Sequence, residues 1–172
     1  MKKIFALAAL AAIAVSASAQ VPSPLGSSGL SARVGGFFPT DAGTRALSRT
    51  WFAAGVQYKL GDFGGGFLTS RLTGTYALSL DYFQRDDFRV LPIMLNYVGS
   101  VDSLFFTVGA GVSFTRSPAN GGGFNDQGRF GYTLGVGYNV NIATIPAFVE
   151  GRFWGNERSE ANGFGLYAGI HF

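Results

Sequence analysis

The feature that most constrains this chain is a two-residue alternation of apolar with polar or small positions. It recurs eight times after residue 29, and each run is closed by Gly, Asn, Asp, Ser or Pro. Alternation of period two is strand patterning, because successive side chains of a strand point to opposite faces. The predicted strands are Leu30–Phe38, Trp51–Leu60, Arg71–Tyr82, Val90–Tyr97, Ser103–Thr115, Arg129–Val140, Ile145–Trp154 and Gly163–Phe172. Sorted by parity, one face of every strand carries no charge, as in Leu104, Phe106, Val108, Ala110, Val112 and Phe114. The opposite face holds Arg33, Lys59, Arg71, Asp81, Arg129, Glu150 and Arg152, with His171 and many glycines.

A soluble sandwich or lipocalin-like barrel would turn the uncharged face inward, whereas a membrane barrel turns it to lipid. The aromatic residues separate these readings. With the amino terminus on the periplasmic side, the odd strands end on the uncharged face at Phe38, Tyr82, Phe114 and Phe153, and the even strands at Tyr58, Tyr97, Tyr138 and Phe172. Two girdles of rings around an apolar band suit a bilayer with two interfaces, and a soluble core has no reason to place its rings at both rims. The fold expected is all-β, an eight-stranded antiparallel up-and-down transmembrane β-barrel. A membrane helix over Phe130–Val149 fails on content, since Gly131, Gly135, Gly137, Asn139, Asn141 and Pro146 would all lie inside it.

Lys2 and Lys3, the apolar run Ile4–Val15 and the small residues Ala17-Ser18-Ala19 read as a signal peptide over residues 1–19. Residues 20–29 read as a periplasmic leader and 30–172 as the barrel domain. Without Lys2 and Lys3, eleven basic residues face ten acidic ones, so neither charge nor compartment suits nucleic acid. The chain has no Cys and one His, which leaves no thiolate or histidine cage for a metal; no metal and no cofactor are expected.

The alternating end Phe164, Leu166, Ala168, Ile170 and Phe172 resembles the carboxy-terminal assembly signal of bacterial outer-membrane proteins. Together with eight strands, the opening LSARVGGFFP and the segment LPIMLNYV, it makes Leu30–Phe172 similar to the OmpA/OmpX-like barrels. The resemblance implies a bacterial outer-membrane location, recognition by the barrel-assembly machinery, and a monomer among outer-membrane lipid and lipopolysaccharide. The Gly-rich segment Gly61–Ser70 departs from the tight turn usual at that place.

Eight strands enclose only enough room for side chains. The inward parity sets Phe37, Trp51, Phe105, Phe148, Trp154 and Tyr167 against glycines, so the lumen is expected to be plugged. Arg33, Asp81, Arg129, Glu150 and Arg152 are expected to form a charge network there, with Arg33, Lys59, Arg71 and His171 toward the periplasmic mouth. The outer loops expected are Pro39–Thr50, Phe83–Arg89, Arg116–Gly128 and Gly155–Asn162. Arg45 and Arg49 suit the phosphates of lipopolysaccharide, or are simply solvated. Asp86-Asp87 and NGGGFNDQG have oxygen ligands calcium accepts, although turn chemistry explains the same residues. A catalytic group is not expected: His171 has only Ser31 beside it and no carboxylate near on the inward parity. The role expected is structural or one of surface interaction through the loops, and the chain is read as no enzyme. The alternatives are a narrow OmpW-like path for a small or hydrophobic solute and a lipid-modifying enzyme.

Overall fold

The computed structural model describes residues 28–63, 72–118, 124–157 and 161–172. The signal segment 1–19, most of the leader, Arg71, residues 64–70 of the Gly-rich stretch and 119–123 of the third outer loop lie outside the described residues. The strands are β1 (Leu30–Pro39), β2 (Trp51–Phe63), β3 (Thr73–Arg85), β4 (Phe88–Val101), β5 (Leu104–Pro118), β6 (Phe124–Ile142), β7 (Ile145–Asn156) and β8 (Gly163–His171). One helical turn, α1 (Ala42–Leu47), lies between β1 and β2.

Each strand pairs antiparallel with the next, and β1 also pairs with β8 from Ser31↔His171 to Pro39↔Gly163, so the sheet closes in the order β1 to β8. Closure removes every free sheet edge. At the seam, Ser28 N donates to Phe172 O at 2.9 Å and Phe172 N donates to Leu30 O at 2.8 Å. The segment Phe130–Val149 is the β6–β7 hairpin, with each partner in register from Gly131↔Asn156 to Ile142↔Ile145.

Turn chemistry sets the hairpins. Asp86, Asp102 and Ala143 each adopt a left-handed backbone, with φ of 49°, 53° and 56°. Aspartate tolerates that region because its short side chain bonds locally, whereas alanine gains nothing there. The expected loop Phe83–Arg89 is corrected: β3 and β4 pair up to Arg85↔Phe88, leaving only Asp86-Asp87 as the turn. Parity alternation continues through Phe83 and Phe88, both buried, and this inward apolar pair pulls the strands past the expected boundary. In the first loop, Asp41 caps α1 by accepting from Thr44 N at 3.0 Å and Thr44 Oγ1 at 2.9 Å. These bonds hold the Asp41 carboxyl below the usual carboxylate range.

Burial runs opposite to that of a soluble protein. Thr107 and Thr133 are 1% and 0% exposed, while their neighbours Val108 and Leu134 are 48% and 50% exposed. The outer surface also shows Leu78, Leu95, Val112, Val136 and Val149, an apolar band far too continuous for a water-facing surface and suited to lipid. The girdle residues Phe38, Tyr58, Phe114 and Tyr138 stand exposed on this face; Tyr82, Tyr97, Phe153 and Phe172 are half-buried. Tyr97 is half-covered because it packs between Tyr76 and Phe106, at centroid distances of 6.1 and 6.0 Å. Of the alternating end, Phe164 and Leu166 face outward and are exposed, and Phe164 is in edge contact with Phe153 at 5.0 Å.

Candidate functional site

The interior is filled in three layers. Toward the end bearing α1, Phe37, Trp51, Phe83, Phe88, Met94 and Trp154 form one buried cluster. Phe37 stacks on Phe83 at 4.5 Å, and Trp154 meets the edge of Phe83 at 5.3 Å. Toward the end where Ser28 bonds Phe172, Ala77, Val98, Phe105 and Phe148 form a second. Between them lies a layer of charge.

That layer is built by β1, β3 and β7. Arg33 donates from Nε to Asp81 Oδ1 at 2.8 Å and from Nη2 to Asp81 Oδ2 at 2.7 Å, a two-pronged pair that matches guanidinium to carboxylate. Arg33 Nη1 also reaches Glu150 Oε2 at 3.4 Å. Glu150 Oε1 in turn accepts from Arg152 Nε at 2.9 Å and Nη2 at 2.7 Å, and from Thr107 Oγ1 at 3.4 Å. Gln57 Oε1 accepts from Arg33 Nη1 and Arg152 Nη2, both at 3.4 Å, and so ties the two halves together. The four side chains are 0–2% exposed and carry two positive and two negative charges. Neutrality and dense hydrogen bonding are what make burial of four ions tolerable. The guanidiniums also lie over rings, Arg33 over Tyr167 at 5.6 Å and Arg152 over Trp154 at 5.3 Å, and Trp154 Nε1 donates to Tyr167 OH at 3.2 Å.

Glycines make the reach possible. Arg33 is in register with Gly55 and Gly55 with Asp81, so the guanidinium crosses β2 where there is no side chain. A Cβ on Gly55 would collide with the Asp81 carboxylate. Gly135, in register with Arg152, is likewise pressed by Glu150 and Arg152.

Arg33 is expected in this network and toward the periplasmic mouth; its guanidinium reaches the two-pronged bond with Asp81, two strands away across a glycine. One expectation for this cluster is corrected. Arg129 does not join the layer. It is in register with Ser113 at the end bearing α1, bonds Gln127 Oε1 at 2.8 Å and pairs with Glu157 at 3.7 Å, both partners at the rim. Lys59 pairs with Asp62 at 2.7 Å.

Below the charge layer is a cavity of about 20 Å³, lined among others by Ser31, Asn139, Glu150, Arg152 and His171. This is room for one water. Arg152 Nη1 and His171 Nδ1 are buried without a protein partner among the described residues. Ser31 and His171 are in register, but Ser31 Oγ donates to Gln57 O at 3.4 Å while His171 Nε2 lies 3.1 Å from Asn139 Oδ1 and the ring stacks on Phe148. Contrary to the parity reading, a carboxylate is close: Glu150 lines the same cavity as His171.

No protein-family model matches the chain, and no curated protein matches it. Among solved structures, the outer membrane protein Ail of Yersinia pestis, determined in a phospholipid bilayer nanodisc, matches at a TM-score of 0.49 and 10% identity, covering 83% of this chain and 98% of Ail. The outer membrane enzyme PagL matches at a TM-score of 0.45 and 16% identity, covering 83% of this chain and 99% of PagL. The likeness is one of fold. It also corrects the expectation that the chain is no enzyme, since an outer-membrane enzyme is among the proteins of this fold and the fold by itself establishes neither an enzyme nor a non-enzyme.

Proposed function

We propose that the chain is an integral protein of a bacterial outer membrane, of OmpA/OmpX-like type, that acts as a sealed and rigid platform presenting its outer loops to the surface. The single observation that carries this is the pairing of a lipid-suited exterior with an interior filled by rings and a neutral four-ion layer. Residues 1–19 serve as the export signal, 20–29 as a periplasmic leader, and the alternating end Phe164 to Phe172 as the cue for the barrel-assembly machinery. The protein works as a monomer, surrounded by lipid and lipopolysaccharide. The end with short turns at Asp102-Ser103 and Ala143-Thr144 faces the periplasm, and the end with α1 faces outward.

A structural or interaction role is favoured over solute transport because, among the described residues, two ring clusters and the charge layer fill the lumen, and the cavity beside Glu150 and His171 is about 20 Å³, room for one water. The test is conductance across a planar bilayer by purified, folded protein. No steady current is expected, and an open channel of fixed size would reject the sealed-platform reading.

A further inference from the structure

Outside the barrel wall, beneath α1, a groove of about 790 Å³ opens at the upper edge of the apolar band. Its floor is Phe38 and Phe164, register partners on β1 and β8 that point outward and are 39% and 56% exposed. Ala42 and Ala46, one helical turn apart, form its apolar roof, and Arg45 and Arg49 stand at its sides. We propose that this groove seats one phosphorylated lipid of the surrounding leaflet, its phosphate held by Arg45 and Arg49 and its apolar part laid on Phe38 and Phe164. The inference rests on the membrane-barrel reading above.

Three observations carry it. First, the height fits. The groove begins at the ring girdle, where a bilayer passes from hydrocarbon to headgroup, so apolar floor and basic side meet the two parts of a lipid in the right order. Second, charge is available. Among the described residues neither Arg45 nor Arg49 has a salt bridge, although Arg45 shares the field of the Asp41 carboxylate that caps α1 through Thr44. Two guanidiniums beside one groove match the oxygens of a phosphate by charge-assisted bonds. Third, the floor rules against a soluble anion as the occupant, because two exposed phenylalanine rings gain nothing from inorganic phosphate and much from an acyl chain or the apolar shoulder of a lipid.

The test is native mass spectrometry of the folded full-length mature chain in neutral detergent micelles, with a diphosphorylated lipid A added and the fraction of lipid-bound protein counted. The same lipid without its phosphates, and inorganic phosphate alone, are the comparison arms. Wild type is expected to retain the diphosphorylated lipid at least about tenfold better than the dephosphorylated one, the scale of one or two charge-assisted bonds. Arg45→Gln with Arg49→Gln should abolish that preference, whereas Arg45→Lys with Arg49→Lys should keep part of it. Arg85→Gln, at an exposed arginine on the β3–β4 hairpin, should leave it unchanged. Equal retention by wild type and the double Gln variant, equal retention of the two lipids, or inorganic phosphate competing as well as the lipid would each overturn the proposal. The heat-modifiable gel shift separates this failure from that of the parent reading: a chain that shifts yet shows no preference loses only the groove, and one that never folds in micelles loses the barrel as a membrane protein.

Discussion

The buried charge layer and the ion pairs of the rim are made of the same residue types, yet they occupy opposite ends of an energetic scale. In the lumen, Arg33–Asp81 and Arg152–Glu150 close at 2.7 Å with side chains 0–2% exposed. At the rim, Arg129–Glu157 is 3.7 Å long with side chains 36% and 55% exposed. Water screens the rim pair and solvates each partner when the other leaves, so little is lost. In the lumen the partners are shut off from bulk water, which cannot solvate the charge that a missing partner leaves, and the residual charge is stranded. The difference teaches that an ion pair's importance in this barrel is set by its height and facing along the strand, not by its chemistry.

The comparison is broken most directly at its centre. Glu150→Ala removes the carboxylate shared by Arg33 and Arg152 and is expected to destabilise the barrel by about 3–5 kcal/mol, read from the denaturant midpoint of folding into vesicles. A loss under about 1 kcal/mol would mean that water enters the layer and that the lumen behaves like the rim. Next is facing. Val108→Arg sets a charge on the lipid face beside the buried Thr107 and is expected to cost roughly 2–4 kcal/mol in vesicles. Wild-type stability of that variant would reverse inside and outside.

Gly55→Ala tests the gap through which Arg33 reaches Asp81, and an effect of about 1–3 kcal/mol is expected from the forced overlap with the Asp81 carboxylate. The paired variant Gly55→Ala with Asp81→Ser should cost less than the sum of the two single changes, since the second removes what the first strikes. Additive losses would place the strain elsewhere. The smallest effect expected is that of Glu157→Gln, within about 0–1 kcal/mol and shrinking further in high salt. A larger loss would show the rim to be as dry as the lumen.

Much of this was legible because a strand reports its facing residue by residue. The uncharged parity at Leu104–Phe114 and the rings at Phe38, Tyr58 and Tyr138 stand on the outer surface where alternation alone puts them. Local chemistry also marked α1, although the sequence reading passed over it: Asp41 followed by Thr44 is a cap pattern. The strand ends at Arg85 and Phe88 were missed because Asp86-Asp87 reads as well in a loop as in a two-residue turn.

Pattern alone thus determined the strand count and which side chains share a face, since both depend on neighbours one or two residues away, and the rings at the strand ends decided which face meets lipid. Which charges meet depended on register and stagger, which no single strand encodes. Arg33 finds Asp81 because β1, β2 and β3 align Arg33, Gly55 and Asp81 in one row, and Arg129 is carried by β6 to the rim instead. The meeting of Phe38 with Phe164 under α1 likewise exists only after the first strand has closed on the last, because closure of the sheet is what brings residues more than a hundred positions apart to a single groove.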